Sequence, residues 1–137
     1  MTFAGVNYLA ILFAGAAGFA FGAGYYMTLG KMWMHALGKT KEQIEREKSP
    51  VPFIFAVIAQ FVIAIMLAGL LNYVAEYDMN ARSGILTALT MWFGFVVTTM
   101  TVNYSFQGAK PMLTLIDATH WLGVFLLQGL IIGAMGA

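Results

Sequence analysis

Two ionisable residues, Asp117 and His120, lie inside a long apolar run of this 137-residue chain. Residues three apart are neighbours on a helix, so the carboxylate and the imidazole share one face, a turn apart. An acid in an apolar span either takes up a proton or finds a cation, and a protonated His120 would supply one. Such a pair suits one of three uses: a structural pin between helices, a proton-relay or solute site, or a catalytic or metal centre. Two ligands are few for a metal. With no cysteine and only His35 besides, neither a metal nor another cofactor is expected.

Further polar residues are expected at similar depth. Asp117 stands about 9 Å along its helix from Pro111. Asn103 comes near the end of the preceding run, and Tyr25 and Tyr26 near the end of the first. Gln60 falls near the middle of the second. Polar groups inside a membrane face protein, each other or water, so Asp117, His120, Asn103, Tyr26 and Gln60 form a candidate buried cluster. Thr98, Thr99 and Thr101 add hydroxyls that are able to bond back to their own helix. No glycine-rich phosphate loop, G-x-S-x-G or H-E-x-x-H occurs, so no catalytic residue is assigned; an integral-membrane enzyme would need a lipid-side cavity beside Asp117 and His120.

The elements that carry these residues follow from composition. The chain is 61% apolar and 9% charged, whereas a soluble domain is about half apolar and a quarter charged. A formal charge of +1 creates no field for nucleic acid. A hydrocarbon layer about 30 Å thick is crossed by about 20 apolar helical residues. Four runs are long enough: about Phe3 to Leu29, Val51 to Ala75, Ile85 to Phe106 and Met112 to Gly136. The expected fold is therefore all-α, one integral membrane domain over residues 1–137 built as a bundle of four transmembrane helices in a lipid bilayer. The first run is read as a retained span, since Met1 to Asn7 hold no Lys or Arg and the run exceeds a signal h-region.

The connector between the first two runs carries Lys31, Lys39, Lys41, Arg46 and Lys48, and the third connection carries Lys110. The opposite side has Arg82. Basic loops stay in the cytoplasm, so both termini are expected outside it, periplasmic if the host membrane is a bacterial inner membrane. Within the connector, Gly38 suits a helix C-cap, and Thr40 with Gln43 forms a capping box for a short helix from Lys41 to about Lys48. Glu42 and Arg46 stand at i,i+4 spacing.

Helix contact in lipid relies on small residues. Ala14, Gly18 and Gly22, with Gly15 beside them, make such a face on the first span, and Gly129 with Gly133 makes a second on the fourth. Each would serve equally within the chain or between chains. Tyr8, Trp33, Tyr73, Tyr77 and Tyr104 fall near span ends, as interfacial aromatics do.

Several segments together resemble the bacterial family called domain of unknown function 1761. They are Gly94-Phe95 with Thr98 and Thr99, Asn103-Tyr104-Ser105-Phe106-Gln107-Gly108, and Leu115-Ile116-Asp117 with His120. Asn7, Gly22, Tyr26, Gly30-Lys31, Trp33 and Ala36-Leu37-Gly38 fit as well. The resemblance implies a small inner-membrane protein of four helices and supplies no activity. Members tend to have Trp-Tyr-Ser-Pro where this chain has Tyr25-Tyr26-Met27-Thr28, so a proline kink there is not implied. Two functions fit these readings. One is a non-enzymatic subunit, a homo-oligomer or an accessory bound to another membrane protein. The alternative is a proton- or cation-linked transporter or channel for a small solute, working through Asp117 and His120.

Overall fold

The computed structural model describes residues 3–137, and among them it is all-helical with no strands. Met1 and Thr2, which belong to the lysine-free segment read above, lie outside the described residues. Helix α1 covers Tyr8–Leu37, α2 Lys41–Arg46, α3 Val51–Val74 and α4 Ala81–Met91. A π-helical segment at Trp92–Val97 joins α4 to α5 (Thr98–Phe106), and α6 covers Pro111–Met135. Because α4, the π segment and α5 run on continuously, four helices are long and apolar enough to cross a membrane: 8–37, 51–74, 81–106 and 111–135.

Local chemistry sets most boundaries. Asn7 caps α1 by accepting from the Ala10 N–H at 3.0 Å. The same side chain donates through Nδ2 to the Met135 carbonyl at 3.2 Å, which ties the start of the bundle to its end. With no proline in its path, α1 runs unbroken through Tyr25–Thr28 and past the expected Leu29. It stops where Gly38 takes a left-handed φ of 77° and donates to the Met34 and His35 carbonyls. Thr40 and Gln43 form both bonds of the capping box that opens α2. Glu42 and Arg46 do not form the expected ion pair; Arg46 donates to the Glu42 carbonyl, and the connector's ion pair joins Lys39 to Glu47.

Helix α6 is the hub, packed against α4, α1 and α3. Its crossing with α4 is made of backbone. A Cβ placed on Gly84 would lie 2.0 Å from the Gly129 carbonyl oxygen, and one on Gly133 would lie 2.4 Å from that of Asn80. Both small-residue faces are therefore used inside the chain. On α1, Gly15 lies under the Phe61 ring, Gly18 under the amides of Gln60 and Gln128, and Gly22 under His120, with Ala14 fully buried beside them.

Candidate functional site

Asp117 sits two turns into α6 and is 9% exposed. Tyr26, from α1, donates its hydroxyl to Oδ1 at 2.7 Å. Tyr104, from α5, donates to Oδ2 at the same distance. Each carboxylate oxygen thus accepts one phenolic hydrogen. Tyr25 braces the site by donating to the Ile116 carbonyl at 2.7 Å. Ala36, Leu113 and Ile116 form a small apolar core around these tyrosines.

His120 lies one turn deeper and is 7% exposed. The expected ion pair with Asp117 is not formed. The imidazole is instead packed among rings, with centroids of Tyr26 and Trp121 each 4.8 Å away and Tyr25 at 5.6 Å. Its Nδ1 is buried without a hydrogen-bond partner. Gly22 makes room for it, since a Cβ there would come within 2.7 Å of Nε2.

The third span departs from the expected arrangement. Asn103 is exposed, and Tyr104, taken as an interfacial aromatic, reaches Asp117 in its place. The π segment supplies the reason. Trp92 faces α6, donating through Nε1 to the Ala118 carbonyl at 2.9 Å. In an unbroken α-helix of about 100° per residue, Asn103 would return to the Trp92 face and Tyr104 would lie about 120° round. A π turn absorbs one extra residue, so the face passes from Asn103 to Tyr104. Thr98, Thr99 and Thr101 bond back to the carbonyls of Gly94, Phe95 and Val97.

Gln60 belongs to a second polar contact, deeper in the bundle. Gln128 donates through Nε2 to the Gln60 side-chain oxygen at 2.8 Å and to its carbonyl at 3.1 Å. Gln128 is fully buried, and sequence reasoning missed it. The available signal was an amide deep in each of two apolar runs, Gln60 and Gln128, which in hydrocarbon have to find partners.

A cavity of about 580 Å³ opens beside Asp117, between α1, α3 and α6. Phe19, Met27, Phe53 and Trp121 give it apolar walls, while Asp117 and His120 give it polar ones. A second cavity of about 720 Å³ adjoins it toward the connector, and Tyr26, Phe53, Ala56 and Asp117 border both. Lys39, Glu45, Glu47 and Lys48 line its far end. The two together form a cleft from the charged connector to the buried carboxylate. Among the described residues, no group of three His, Cys, Asp or Glu side chains is placed to hold a metal ion.

Fold and site together define a multi-pass helical membrane protein with a carboxyl group held by two tyrosine hydroxyls inside its bundle. The chain belongs to a family described as proteins of unknown function, DUF1761, whose model matches residues 9–133. It matches no curated protein and no solved structure.

Proposed function

We propose that this protein is a carrier or channel of a bacterial inner membrane that handles a proton or cation, with a small solute, at Asp117. The observation that carries the reading is the cleft: a carboxylate held by two tyrosine hydroxyls borders both cavities and so faces a path to the connector. A pin between helices needs no such space. The six basic residues on the connector side, against Arg82 on the other, support a cytoplasmic mouth and termini in the periplasm. In proteoliposomes, an imposed membrane potential or solute gradient should drive a proton or cation flux that Asp117→Asn lowers at least tenfold. Equal flux in the variant, or none across a broad solute panel, overturns the reading.

A second reading, an accessory or oligomeric subunit, draws on the third span, the least buried of the four, whose Phe93, Phe95 and Phe106 face outward. The small-residue face of α1 does not support it, being covered from within the chain. Purification from native membranes distinguishes the two, because a stoichiometric partner or a stable oligomer is required by the subunit role alone.

A further inference from the structure

Resting on the reading of Asp117 as a solute site, we propose that the solute is an organic ammonium ion bearing N–H donors and a short apolar tail. The carboxylate sets the charge. Both its oxygens accept from tyrosines, and among the described residues no Lys, Arg or His forms an ion pair with it. A carboxylate has about four acceptor positions, so two phenols leave room for further donors. In hydrocarbon, a partner that brings positive charge is favoured over a neutral one.

The walls set the rest. Tyr26, Tyr104, Trp121 and Phe53 border the cavity around Asp117, and aromatic faces attract cations. His120 lines the same cavity, is only 7% exposed and keeps Nδ1 without a partner, an unusual state for a buried imidazole that builds structure. Its ring walls the cavity one turn from the carboxylate. Phe19 and Met27 leave apolar surface for a tail. An inorganic cation would use none of that surface, and a quaternary ammonium would leave the spare acceptor positions of Asp117 unfilled.

The same chemistry has two sources: a free lipophilic amine, or the primary ammonium of a phosphatidylethanolamine headgroup reaching in along the cleft. The experiment uses the whole protein in phosphatidylglycerol nanodiscs with radiolabelled 2-phenylethylammonium as probe. Saturable binding is expected. Asp117→Asn should weaken it at least tenfold, and the N-trimethyl analogue should compete at least tenfold less well than the unlabelled probe. Ala56→Trp fills the cleft without touching a hydrogen bond of the site, and it should also abolish binding. If phosphatidylethanolamine discs suppress probe binding and phosphatidylcholine discs do not, the source is the headgroup; without suppression it is a free amine, and both results support the proposal. Absent or non-saturable binding, binding unaffected by both variants, or equal competition by the trimethyl analogue overturns it. In that event an Asp117-dependent flux of protons or inorganic cations leaves the carrier reading standing, and the lack of one removes both.

Discussion

The two halves of the bundle are built on opposite principles. Toward the termini, α4 and α6 meet backbone to backbone at Gly84, Gly129 and Gly133, and Phe3 lies over Gly69 to cover α3. Toward the connector, α1, α3 and α6 part around tyrosines, a histidine and an aspartate, and the cleft lies between them. Lipid gives helices no hydrophobic reason to associate, so close contact has to come from small side chains. Large polar side chains hold helices apart and need hydrogen-bond partners of their own. Concentrating glycine at one end thus provides a rigid base from which the other end is free to hold a site.

The base should be the more fragile half. Gly84→Leu pushes a side chain into the Gly129 carbonyl, where no flexible atom is able to yield, and should cost about 3 kcal/mol or more. Thermal unfolding in detergent measures it. A variant as stable as the parent would show that the α4–α6 crossing is not what fastens the bundle.

The two polar contacts sharpen the comparison further. Asp117→Leu strands the hydroxyls of Tyr26 and Tyr104 and should cost about 1–3 kcal/mol, whereas Asp117→Asn keeps an acceptor for at least one and should cost less. Gln128→Leu removes a neutral amide that bonds Gln60 and should cost about 1 kcal/mol. If the glutamine variant proved the more damaging, the open site would be the weaker anchor and the closed pair the stronger, contrary to the charges involved.

The smallest effect on stability, and the most specific one, concerns the π segment. Deleting Gly94 removes the extra residue and restores an unbroken α-helix, in which Tyr104 becomes the eleventh residue after Trp92 and stays on the face turned to Asp117. Cysteines placed one at a time at Asn103 and Tyr104 report on it. In the parent and in the deletion alike, position 103 should react readily with a thiol reagent and position 104 should be shielded. A pattern reversed by the deletion would falsify the account of how Tyr104 reaches Asp117.

Much of this molecule is legible without coordinates, and the misses are instructive. The spans, the Gly38 cap and the Thr40–Gln43 box are properties of neighbouring residues, so their types and spacing suffice. Asp117 and Tyr26 are recognisable by depth alone. Asn103 is selected by the same reasoning, and correctly so for an unbroken helix. The π turn that displaces it leaves no firm mark in the residues Trp92 to Val97, because an i→i+5 bond depends on what the helix packs against. Gln128 is overlooked because a lone amide in an apolar run reveals its role only when its partner on another helix is known.

Residue types along the chain decide that four segments dissolve in hydrocarbon, where each turns back and which groups are too polar to face lipid. These follow from transfer of side chains and from hydrogen bonds closed within a few residues. How each helix is rotated about its axis, and hence whether glycines face kin or stranger and which residue of the third span meets the carboxylate, is settled by packing among distant segments. The energies of alternative rotations differ through contacts that exist only once the bundle has assembled.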